Sequence, residues 1–183
     1  MKWSDFEPYV MPYVIGCPLP VMEAHVRDAA IEFMQETKCW VRTLDPELTG
    51  TTAEVDLVPN SALARIFDVH IVKVDGAASE FTVSPDFEFV TIHPIREPGL
   101  EVVATVAQVL KDDASQFPDE FRHYARHIAH GAIASIKRIP GQPFSGPDAD
   151  DELRFRARIK VESARLARGQ VVSGSGRSLP SFI

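Results

Sequence analysis

The sequence predicts an α+β fold: a three-helix scaffold, an antiparallel β-rich insertion between helices 1 and 2, and a flexible C-terminal arm. Three observations predict it. Apolar residues recur at three- and four-residue steps over 21–38, 118–139 and 147–168, the spacing of one helix face. Between them, runs rich in Val, Ile, Phe and Thr are broken at short intervals by Pro, Asn and Gly, as in short strands. Residues 170–183 open on a segment with no regular period, and their Ser-Gly-Ser-Gly is linker composition. The chain therefore divides into 1–49 (an N-terminal segment and helix 1), 50–111 (the β insertion), 112–169 (helices 2 and 3) and 170–183 (the arm).

The N-terminal segment carries Pro8, Pro12, Pro18 and Pro20 among Trp3, Phe6, Tyr9 and Tyr13. Proline at this density precludes one long helix and predicts a short turn followed by extended chain, with the aromatic rings on the body. Helix 1 follows at 21–38, with Met22, Val26, Ala29, Ala30 and Phe33 on one face. The insertion reads as four to six antiparallel strands with turns at Asp75-Gly76 and Pro98-Gly99; helix competes for 101–111, because a short apolar run fits both periods. Helix 2 opens on Pro118, Asp119 and Glu120 and closes on Lys137 and Arg138, the polarity that suits the macrodipole. After a stiff turn at 140–146, helix 3 carries two apolar stripes, Leu153–Ala157–Val161–Ala164 and Phe155–Ile159–Leu166. One stripe is free to face the core and the other a neighbouring chain.

A chain of 183 residues buries a core without metals or disulfides. Cys17 and Cys39 lack CxxC spacing and make a poor zinc site or disulfide framework. No apolar run reaches membrane-spanning length, and MKWSDFEPYV lacks a signal-peptide pattern, which predicts synthesis in the cytosol with no membrane partner. The net charge of −7 is uneven: residues 1–136 hold 10 Lys/Arg against 21 Asp/Glu, and residues 137–183 hold 9 against 5. An acidic body argues against a DNA-wrapping surface, and the basic C-terminal part suits an acidic partner, such as another copy.

His123, His127 and His130 are spaced four and three apart, on one helical face. HxxxH is metal-ligand spacing, but Tyr124 stands where a hydrolytic zinc helix would carry glutamate. These histidines are read as solvated or interface residues, with a metal-dependent hydrolase as the weakest alternative. Asp112-Asp113 and Asp148–Glu152 suit a connector and a helix N-terminus better than a catalytic dyad. No phosphate-binding loop follows a strand. The sequence thus predicts no catalytic residue, no cofactor and no metal. It predicts a subunit interface drawn from Phe155, Ile159, Leu166, Arg158, His123, His127 and His130.

One order of motifs goes further. Arg27-Asp28-Ala29-Ala30-Ile31-Glu32-Phe33 with Thr37 and Trp40 precedes the insertion. Phe117-Pro118-Asp119, Ile128-Ala129-His130-Gly131-Ala132, Pro140-Gly141-Gln142-Pro143-Phe144 and a helix containing Phe155 follow it. This order resembles the head-to-tail adaptor (connector) family of tailed bacteriophages, across most of the chain. Met34 departs from a frequent cysteine and Phe144 from a frequent tryptophan. The resemblance implies a non-enzymatic virion protein, assembled in the host cytoplasm. Such subunits form a ring, commonly of twelve copies, that joins the portal protein to tail or nozzle proteins and extends a DNA channel without binding DNA specifically. It also implies a portal-binding arm: Val171, Val172, Arg177, Leu179, Pro180, Phe182 and Ile183. The alternative is a small β-domain binding module or assembly chaperone with helical flanks.

Overall fold

A computed structural model describes residues 1–46, 54–93 and 100–173, with side chains of the last helix as far as residue 167. The prolines of the first segment set its shape, but not as extended chain. Pro8 and Pro12 sit in the first turns of two short pieces, where a missing N–H costs nothing. The segment is a 3₁₀ turn (Trp3–Phe6), helix α1 (Glu7–Val10) and a second 3₁₀ turn (Met11–Tyr13). It buries Trp3, Phe6 and Val10, and Phe6 meets Phe117 edge to face at 5.6 Å.

Helix α2 (Leu19–Thr37) carries Pro20 in its first turn and the predicted stripe inward. It stops at Lys38, whose φ of 51° turns the chain left-handed. The residues expected to open the second helix instead form a 3₁₀ segment (Asp119–Tyr124), continued by α3 (Ala125–Lys137). Helix α4 (Ala149–Ser173) runs past the predicted end at 168, so Val171 and Val172 belong to its last turns. The other proposed arm residues, Arg177, Leu179, Pro180, Phe182 and Ile183, lie outside the described residues. α2, α3 and α4 enclose one aromatic-rich core with the N-terminal segment. Met34 and Phe144 are both buried in it, so the two departures from the adaptor pattern remain apolar packing positions.

The insertion begins earlier than expected, with strand β1 (Val41–Leu44), and continues through β2 (Glu54–Asp56), β3 (Ala64–Val74), β4 (Ala77–Val83), β5 (Phe89–His93) and β6 (Val102–Leu110). Strand therefore takes the segment for which helix competed. The order is β1-β6-β3-β4-β5-β2, every pairing antiparallel. Asp75-Gly76 makes the predicted two-residue turn, with both φ values positive, between Val74 and its partner Ala77; Pro98-Gly99 lies outside the described residues. In β3 the register against β6 slips after Ile66 and again after Val69, leaving Phe67 and His70 as extra residues. The slips let Ile66, Val69, Val72 and Val74 all point inward, where they join Leu44, Val55, Val90, Ile92 and Val106 in a second core. The far end of β6 packs on α2, which buries Ala107, Val109 and Leu110 on both faces. No described helix is long and apolar enough to cross a membrane.

Candidate assembly surface

The surface of interest is the seam between α3 and α4. Helix α3 is rich in small residues, and its Gly131 lies directly against α4. A Cβ there would stand 2.9 Å from two carbons of the Phe155 ring. The chain thus spends Phe155 (1% exposed) and Ile159 (7%) on its own core, with Phe155 6.3 Å from Phe33 between ring centroids. This corrects the expectation that the Phe155 stripe faces a neighbour: Leu166 is half-buried on the same side, and the stripe left outside is the other one. Leu153 is 69% exposed and Val161 55%, with Ala157 and Ala164 exposed between and beyond them.

Two acidic side chains lock α4 in place, and neither stands out by sequence. Asp151 is buried, receiving Lys137 Nζ at 2.7 Å and bonding His130 Nδ1 at 3.0 Å. Burial alone would raise its pKa; the hydrogen bonds from Lys137 and His130 outweigh burial and hold its carboxyl below the usual range. Glu162 (2% exposed) is gripped by Arg158 at 2.6 Å and Arg165 at 2.8 Å, and Tyr124 donates its hydroxyl to it at 3.2 Å. Burial and the Glu162 carboxylate push the Tyr124 phenol up. The available signal was the spacing of Arg158, Glu162 and Arg165, a lone acid at i+4 and i−3 positions in an otherwise basic run.

The three histidines do not share one environment. His123 lies in the 3₁₀ segment, exposed, with its ring 3.9 Å from that of Tyr124. His127 and His130 are half-buried and border a shallow groove with Arg154, Ala157, Arg158 and Val161. Among the described residues no group of three or more His, Cys, Asp or Glu side chains is placed to hold a metal. Cys17 and Cys39 are free thiols, and burial pushes Cys39 up to about 11.

Burial, reinforced by Arg158 and His130 and opposed by Glu162, holds the His127 imidazole below its ordinary value of 6.5. The folded state therefore binds this proton less readily than the unfolded chain. The associated stability is present above that value and is lost as pH falls through the folded pKa. Between about pH 7.5 and 5.5 the thermal midpoint of the wild type should fall more steeply than that of His127→Gln. Parallel slopes in the two proteins would remove His127 from the acid sensitivity.

On the other side of His130, Tyr9, Tyr13, Arg126 and Arg154 surround a cavity of about 460 Å³. Sequence reasoning passed over Tyr9, Tyr13 and Arg126 as site residues, because they come from segments far apart in the chain. What the seam offers chemically is recognition. It has an exposed apolar stripe, fixed cations and buried acids that hold the helix bearing them.

No family model matches the chain, and no curated protein matches it. Among solved structures, a chain from the neck of an empty GTA particle, computed with C6 symmetry, is similar at 14% identity. The alignment covers 99% of this chain and 92% of that one, with a TM-score of 0.32.

Proposed function

We propose that this chain is a structural head-to-tail adaptor subunit. Copies form a ring, on the family pattern a dodecamer, that joins the portal to the tail and extends the DNA channel. What carries the assembly role is the α4 stripe. The internal core is complete without Leu153 and Val161, yet both stand open on a surface continuous with Ala157, and exposed large apolar side chains in a row fit a protein contact. The adaptor identity is supported by the order of motifs given above. The family's docking arm corresponds to the segment that follows α4. The role is non-enzymatic, requires no cofactor, and belongs to the virion at the head–tail junction. An acidic body lets DNA slide past without being held.

Electron microscopy of the protein mixed with portal-bearing capsids tests this reading. The expected result is a ring at the portal vertex that is lost when residues 174–183 are deleted, a cut that leaves the described helix whole. A wild-type chain that stays monomeric beside the portal would overturn it. That outcome would favour the second reading, a β-domain binding module or chaperone. The observation in its favour is that the sheet has an apolar core of its own, separate from the helical one.

A further inference from the structure

Arg126 and Arg154 differ from the arginines that brace α4. Arg138, Arg156, Arg158 and Arg165 are each tied to a carboxylate of the same chain. Arg126 and Arg154 have no such partner among the described residues, and they line one cavity. Its walls include Tyr9, Tyr13 and His130. Asp151 fixes the His130 ring through Nδ1, and Lys137 in turn holds Asp151, so the imidazole in the cavity wall is braced. Tyr13 is 59% exposed and, with Pro8 and Tyr9, gives the cavity an apolar side. Arg154 also borders Asp150 and Asp151 but is ion-paired to neither. Two guanidinium groups outside any ion pair, beside aromatic rings, form a receptor for carboxylates carried on an apolar support.

The same chain presents that counterpart elsewhere. Residues 41–111 carry 11 Asp/Glu against 5 Lys/Arg. At one end of the sheet Asp56, Asp86 and Glu88 are exposed around Val58, which is 71% exposed. Two cations also border this end, Lys111 and Arg65, and Arg65 faces Asp112 at 3.9 Å. The sheet meets the helical body mainly through β6 and α2, whereas the cavity is lined by the N-terminal segment, α3 and α4. Donor and acceptor surfaces therefore sit on different parts of one molecule.

We infer that the Arg126–Arg154 cavity receives the Asp56–Asp86–Glu88 end of a second copy's sheet, with Val58 as the apolar tip between the carboxylates. Such a contact is heterologous: each copy uses a different face, and repetition closes a ring or extends a filament. The inference rests on the self-assembling reading above and adds a second contact to the one made by the α4 stripe. DNA phosphate is the rival occupant of two arginines, and the net charge of −7 opposes it.

Two charge-reversed proteins test the contact. One carries Arg126→Glu and Arg154→Glu; the other carries Asp56→Lys, Asp86→Lys and Glu88→Lys. Each alone should self-associate at least about tenfold more weakly than wild type, by sedimentation or mass photometry at low salt, with portal protein added if the wild type requires it. An equimolar mixture should recover assembly. The first protein's acidic cavity then meets the second's basic sheet, and the second's intact cavity meets the first's intact sheet. A misfolded variant cannot produce mutual rescue, and circular dichroism of each checks that it is folded. A mixture as weak as its parts, or either variant assembling alone like wild type, would overturn the inference while leaving the adaptor reading intact. A wild type that never self-associates, with or without portal, would overturn both. Binding of a DNA oligonucleotide that is lost with Arg126→Glu and Arg154→Glu, without loss of self-association, would assign the cavity to phosphate instead.

Discussion

Phe155→Ala should lower the stability of the monomer by about 3–5 kcal/mol, the range for removing a fully buried aromatic ring. For a chain of this size that is a fall of roughly 6–20 °C in thermal midpoint. The ring lies against Gly131, where the backbone of α3 leaves room for it, and beside Phe33 of α2. Its loss opens a void shared by all three long helices, and Gly131 has no side chain with which to fill it. Thermal unfolding followed by circular dichroism, at concentrations where the chain is monomeric, measures the effect. A midpoint within a degree or two of wild type would return Phe155 to the surface and restore its stripe as the interface.

The opposite behaviour is expected on the other stripe. Leu153→Asp combined with Val161→Asp should leave monomer stability nearly unchanged, because both side chains are already in water. Assembly should weaken by at least about a hundredfold. Burying two such side chains contributes roughly 1.5–3 kcal/mol each, and replacing them with carboxylates adds desolvation cost. Sedimentation velocity of the double variant against wild type reads this directly. Assembly at wild-type concentration would remove the stripe from the contact. The two experiments separate what each face of α4 does, since one changes folding without testing contact and the other does the reverse.

The three helices were legible because their stripes are long and regular, and the strands because β-branched residues crowd the middle of the chain. What escaped the sequence has identifiable physical causes. Helix α4 carries two apolar stripes of equal regularity, and periodicity alone cannot rank them. The choice is made by Gly131, which lets a large ring approach on one side only. In β3 the inward residues Ile66, Val69, Val72 and Val74 are spaced three, three and two, so strict alternation through Ile66, Val72 and Val74 misplaces Val69; only the pairing with β6 exposes the two inserted residues. The short N-terminal helices hid behind prolines that cap a turn as readily as they break one. Asp151 looked like one of several acids suited to a helix start, and its burial depends on Lys137 and His130 arriving from another helix. The cavity lined by Arg126 and Arg154 joins side chains from three segments, and no local pattern announces it.

The pairing of β1 with β6 also bears on how the chain reaches this fold. Val41 and Ala107 are direct neighbours across the sheet, so the entrance and exit of the inserted segment lie side by side. Once that ladder forms, α2 and α3 are joined in effect by a short link rather than by a long excursion of chain. Most of the loop entropy that would oppose their meeting has already been lost within the sheet. A helical body whose halves are separated in sequence would otherwise have the long-range contacts of a slow folder. The zipped insertion turns those contacts into near-local ones. It also means that the part of the sheet remote from β1 and β6 can lengthen or shorten without altering the distance the helices must span.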